Sequence, residues 1–198
     1  MSLALSFGIL AGTAQLWGYW IYNREIFKGQ IKPNAVSWGL WAGGSVIAFW
    51  SYALLTDDWV KNILPVACSV AVIFTFFYSL IKGRFEKPDK TSCIIAILDI
   101  LVVIFWFVTK SEIYTNIFMQ IDVFITFLPL FIEVWRNPEY EKPIPWFIWS
   151  MAYACMFISI CLSYEKPWDL MYPIMYFILH LTVGLIVSFK KPLQNHVA

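Results

Sequence analysis

The chain has 198 residues, of which 60% are hydrophobic and 14% charged, against roughly 45–50% and about 25% in soluble globular proteins. That balance excludes an ordinary water-soluble domain and points to an integral membrane protein. Fourteen Lys and Arg against thirteen Asp and Glu leave a net charge of +1, which excludes both the basic footprint of a nucleic-acid binder and the high charge of a disordered chain.

The charged residues divide the sequence into seven stretches, each near the ~20 residues an α-helix needs to cross ~30 Å of hydrocarbon. In chain order they are Met1 to Asn23, Pro33 to Thr56, Asn62 to Ile81, Thr91 to Thr109, Ile113 to Ile132, Pro143 to Tyr164 and Leu170 to Phe189. The first lacks a basic n-region and carries aromatic residues where a cleavage site needs small ones, so it reads as a true span and not a signal peptide. The connections are short, without low-complexity linkers, so a single membrane domain covering 1–198 is expected.

Basic residues set the orientation, because cytoplasmic loops are enriched in Lys and Arg. Arg24, Lys28, Lys32, Lys82, Arg84, Lys87, Lys90, Arg136, Lys142, Lys190 and Lys191 fall on one side, and only Lys61, Lys110 and Lys166 on the other. The N-terminus is therefore expected outside and the C-terminus in the cytosol. Cys68, Cys93, Cys155 and Cys161 all lie within spans, where they behave as small hydrophobes and not as a disulfide or zinc framework.

A constant shift of 108 residues superposes the first three spans on the last three without a gap. Glu25 falls on Glu133, Trp38 on Trp146, Trp41 on Trp149, Phe49 on Phe157, Pro65 on Pro173 and Lys82 on Lys190, with Lys28 matched to Arg136. Repeat one is then 1–84, a linker helix occupies 91–109, and repeat two is 113–191. Because an even number of crossings separates them, the two repeats run in the same direction, a design in which the substrate site sits near the midplane between the bundles.

Seven spans arranged as 3+1+3, with a proline-led, Trp-containing second helix in each repeat (Lys32-Pro33 leading to Trp38 and Trp41; Lys142-Pro143 leading to Trp146 and Trp149), resemble the SWEET/PQ-loop transporter superfamily over nearly the whole chain. The Pro-Gln dipeptide itself is replaced by Pro129-Leu130 in the fifth span and Ile21-Tyr22 in the first. Val66 and Ile174 follow Pro65 and Pro173, where sugar-carrying members have an asparagine in the third and seventh helices. The Trp146/Trp149 step is also similar to the PnuC-type carriers of vitamin precursors. The resemblance implies an all-α membrane protein of two parallel three-helix bundles that moves a sugar-like or vitamin- or nucleoside-like metabolite by alternating access. It also implies hinges at cytosolic-level prolines, here Pro33, Pro129, Pro143 and Pro145. Assembly as a homo-oligomer is expected.

Charged and ring-bearing residues within spans are the candidates for chemistry. Asp99 and Asp122 are the only acids well inside spans, and a carboxylate near the bilayer midplane costs at least ~2.5 kcal/mol on insertion scales. Asp122, on a repeat helix, is the candidate for proton coupling or substrate contact. Asp99, on the linker helix, reads as hydrogen-bonding glue between helices. His180 is the only histidine within a span and titrates near neutrality when unperturbed, at about 6.5, so it is a candidate proton acceptor or substrate partner.

Trp38/Trp41 and Trp146/Trp149 are i, i+3 pairs on shared helix faces. They fit walls for a flat ligand, with an interfacial aromatic belt as the competing reading, favoured slightly for Trp38 and Trp146. Phe49 and Phe157, two turns deeper, are candidates to stack on substrate from the outer side. Glu25 with Lys28 and Glu133 with Arg136 read as local ion pairs, or as a gate between repeats. A retinal protein is excluded because Lys190 and Lys191 lie at the end of the last span and not in its middle. No cluster suggests an enzyme, a cofactor or a metal site. A non-transporting receptor or assembly factor is the other expectation open to such a chain.

Overall fold

The computed structural model describes residues 2–194 apart from Lys32, Asp57 and Glu86, with side chains described up to Lys190. The places of Lys32 and of the Lys191 side chain in the charge asymmetry therefore lie outside the described residues. Seven long helices are present: α1 (Leu3–Phe27), α2 (Ala35–Leu55), α3 (Trp59–Lys82), α4 (Lys90–Thr109), α5 (Glu112–Arg136), α6 (Pro143–Leu162) and α7 (Met171–Gln194). Short 3-10 turns at Pro138–Tyr140 and Pro167–Leu170 lead into the last two. The described residues form no strand, only one isolated bridge between Asn34 and Arg84.

Five helical segments, α3 to α6 and Pro167–Lys190, are long and apolar enough to cross a membrane, with mean hydropathy from 1.6 to 2.6. The chain is thus a multi-pass membrane protein. α1 and α2 have the length, but their Trp, Tyr, Ser and Gly content makes them less apolar than the other five.

The helix starts follow capping chemistry. Ser2, Asn34, Asp58 and Asp89 each stand in extended backbone just before a helix and accept an N–H from its first turn, the preferred use of these residue types. α6 instead starts on Pro143, whose missing N–H is not needed at a first helical position. α1 and α5 run past the charged residues that bound the predicted spans, to Phe27 and Arg136, because long charged side chains at a helix end reach water while their stems stay apolar.

Packing orders the helices. α3 packs on both α1 and α2, α7 packs on both α5 and α6, and the two groups meet where α1 packs on α6 and α2 on α5. Following these contacts gives a closed circuit of six helices. α4 stays outside it, against α5 and α2, with most of its surface facing outward. At the end carrying most of the basic residues, hereafter the basic end, two backbone hydrogen bonds lock the approach to α2 onto the exit of α3. The Arg84 N–H donates to the Pro33 carbonyl at 2.9 Å, and the Ala35 N–H donates to the Arg84 carbonyl at 2.9 Å.

Candidate functional site

The core of the circuit is aromatic. Trp38, Trp146 and Trp149 are 3%, 1% and 1% exposed, so the interfacial-belt reading is wrong for Trp38 and Trp146; Trp17 and Trp20, more than half exposed, fit it. Trp38 and Trp41 meet edge to face at 5.0 Å, as do Trp146 and Trp149 at 5.0 Å. The pairs join through Trp41 and Trp146 at 6.2 Å, and Tyr22 bridges them, 5.1 Å from Trp38 and 5.5 Å from Trp149. Trp149 is fixed by its indole N–H donating to the Gln15 carbonyl at 3.3 Å. Its ring lies so close to α1 that a Cβ built on Gly18 would fall 2.5 Å from it. Only glycine permits this approach.

His180 joins the same cluster, with ring contacts to Phe127, Trp146, Trp149, Tyr153 and Tyr176 between 5.1 and 5.9 Å. Its Nδ1 lies 2.7 Å from the Tyr176 carbonyl. A carbonyl can only accept, so Nδ1 carries the hydrogen and the lone pair sits on Nε2.

Trp38, Trp41, Trp146, Trp149, Phe127, Tyr176 and His180 line a cavity of about 50 Å³ together with Tyr19, Gly44, Ser45, Cys68 and Asp122. Next to it, a vestibule of about 680 Å³ opens between α2, α4 and α5 at the basic end, within the size range of ligand sites. The two spaces share Trp38, Leu40, Trp41 and Thr126 as walls. Pro33, Pro129, Arg84, Lys87, Asp89, Arg136 and Glu141 also line the vestibule. Glu141 ties its floor to the aromatic core, accepting from the Tyr22 hydroxyl at 2.8 Å and from the Trp146 indole at 3.1 Å. At its rim the Asp89 carboxyl accepts the Ser92 backbone N–H and hydroxyl, both at 2.8 Å, and those bonds hold it below the usual carboxylate range.

The opposite end is closed. Lys61 Nζ lies 2.6 Å from Asp169 Oδ2 and 3.1 Å from Glu165 Oε2, with the Lys61 and Asp169 side chains wholly buried. Tyr52 donates its hydroxyl to the Asp169 carbonyl at 3.0 Å, and a column of buried tyrosines, Tyr52, Tyr172 and Tyr176, runs from there to the cavity. Lys61 and Asp169 are themselves 108 residues apart, the shift that superposes the first three predicted spans on the last three.

The structure corrects several sequence expectations. Glu133 pairs with Arg84 and not with Arg136 one turn along, because the bridge between Asn34 and Arg84 holds the segment after α3 at the start of α2, which packs on α5. The Glu25–Lys28 pair forms as read, at 2.9 Å. Phe49 and Phe157 take no part in the cavity wall; Phe157, 37% exposed, points outward. Pro145 is buried in the first turn of α6 and does not line the vestibule. Asp99 shares a side-chain hydrogen bond with Asp122 across α4 and α5, beside Gly44, as the reading of glue between helices expects. Trp41, Trp149, Asp122 and His180 come together at one cavity.

Sequence reasoning missed the tyrosines, Glu141 and the Lys61–Asp169 pair. The last had a signal, since the 108-residue shift places a lysine on an aspartate. Among the described residues no group of three or more His, Cys, Asp or Glu is disposed to hold a metal ion. No family model matches the chain, and no curated protein or solved structure does either.

Proposed function

We propose that this protein is a small transporter of the cell membrane, built as two parallel three-helix repeats joined by α4. Its N-terminus lies outside and its basic end in the cytosol, and it moves a small polar, ring-bearing metabolite of the sugar, vitamin or nucleoside kind by alternating access. The observation that carries this reading is the asymmetry along one axis. An aromatic cavity built from both repeats shares walls with an open vestibule at one end, and a buried ion pair between repeat-equivalent positions seals the other. That is the arrangement of a carrier caught open to one side, in which the Trp38, Trp41, Trp146 and Trp149 walls suit a flat ring and Asp122 and His180 supply polar contact. The resemblance to the SWEET/PQ-loop superfamily supports the same reading, and a homo-oligomer in the bilayer goes with it.

The test is uptake into liposomes carrying the purified protein, offered sugars, nucleosides, vitamins and amino acids in turn. The expected result is saturable uptake of one class that Trp149→Ala removes, while Phe157→Ala, on the outward face, leaves it intact. Binding without flux for every class would overturn the carrier reading in favour of a receptor or assembly factor.

A further inference from the structure

The chain treats two buried acids in opposite ways. Asp169 is given a lysine at 2.6 Å. Asp122, 3% exposed, meets no cation; its polar partner is a second carboxyl, Asp99, with which it shares a side-chain hydrogen bond. No Lys or Arg lines the cavity that Asp122 faces. A buried carboxylate without a counter-charge is costly, and more so within a membrane.

We propose that the cavity binds the positively charged nitrogen of a small organic cation, with Asp122 as its counter-ion and the four tryptophans as its walls. This deepens the transporter reading and rests on it only for the claim that the cation is carried across the membrane.

Three features support this ligand chemistry. Faces of Trp, best among the aromatic residues at holding a cation, attract it more strongly when water is excluded, and Trp38, Trp146 and Trp149 are almost fully buried. Two carboxyls this close do not both ionise, so Asp99 and Asp122 together carry one negative charge, and the pair suits a single positive charge. The groups that titrate around them are Asp99 from α4, Tyr176 and His180 from α7, Cys68 from α3 and Tyr19 from α1, while α2 contributes none. Finally, about 50 Å³ has room for a compact head group and not for a whole metabolite. The shared walls at Trp38, Leu40, Trp41 and Thr126 let the remainder extend into the vestibule, among Asn34, Ser37 and Asn137.

The experiment compares cations with neutral molecules of the same shape: N-methylpyridinium against toluene, and choline against its carbon isostere dimethylbutanol. Each is added to the purified full-length protein in detergent, and melting temperature and calorimetric affinity are read. A ligand that binds the folded state alone raises its apparent stability. The expected result is that each cation binds about tenfold or more tighter than its isostere, and that Asp122→Asn removes the difference. Equal binding of cation and isostere by the wild-type protein overturns the proposal, as does a preference that survives Asp122→Asn. The wild-type comparison stands even where that variant fails to fold. Cation-selective binding without uptake into liposomes would keep the site and overturn the transporter reading alone.

Discussion

The two ends of the helix circuit are each crossed by an ion pair between residues far apart in the sequence, yet the pairs differ in kind. At the basic end Arg84 and Glu133 are 27% and 30% exposed beside a vestibule. At the opposite end Lys61 and Asp169 are completely enclosed. The same charges in water contribute little, because solvent screens them and side-chain entropy opposes them. Enclosed, they weld two elements together, because breaking one partner strands the other without solvation. The difference teaches that an end open to solvent can loosen easily while the other resists, the bias a carrier resting open to one side requires.

The sharpest way to break this comparison is Lys61→Met. It strands Asp169 and is expected to cost about 3–5 kcal/mol, read as a large drop in melting temperature in detergent. The charge-exchanged double variant Lys61→Asp with Asp169→Lys should recover part of the loss, since it restores a buried pair of opposite charges. A single variant that melts like the parent would remove the basis for calling that end sealed.

Between the ends, Gly18→Leu drives a side chain into the Trp149 ring. Overpacking of this kind costs about 1–3 kcal/mol, and here it should also abolish ligand-induced stabilisation, which a purely structural effect far from the cavity would leave. At the basic end Glu133→Gln should cost no more than about 1 kcal/mol, and raising the salt concentration should shrink the effect further. A loss there as large as that of Lys61→Met would show that the two ends are held alike.

The smallest effect is expected from Asp89→Ala, which removes the α4 cap at the vestibule rim. The bonds from Ser92 depress the folded-state value of Asp89, so the cap stabilises the fold at pH above the carboxylate's unfolded value. The contribution is lost as pH falls through its depressed one. Melting curves of variant and parent should therefore differ at neutral pH and converge in acid.

Seven long helices and the aromatic positions were legible because each follows a local rule, apolar length or Trp recurring at a fixed shift, although only five of the helical segments are apolar enough to cross a membrane. Asp122 and His180 were legible because ionisable groups are conspicuous in apolar spans. What stayed hidden depends on rotation of one helix against another. Asp99 meets Asp122 only because one face of α4 turns towards α5, and nothing local to α4, apolar nearly all round, marks that face. Glu133 looked satisfied by Arg136 one turn away, and only the bridge that holds the segment after α3 beside Asn34 offers it Arg84. Phe49 and Phe157 share a repeat position with no cavity behind it, since matched depth does not fix which way a side chain points. Lys61 was assigned to a loop because a lysine interrupts an apolar run, while α3 carries it inside and neutralises it.

The lock between Pro33, Ala35 and Arg84 is made entirely by peptide groups. Exchanging side chains leaves it standing, and only a proline at position 35 or 84 would delete a donor. The rim of the vestibule is thus free to change its chemistry, residue by residue, while the backbone that carries it keeps its shape. A lineage could retune what enters this mouth without rebuilding the doorway.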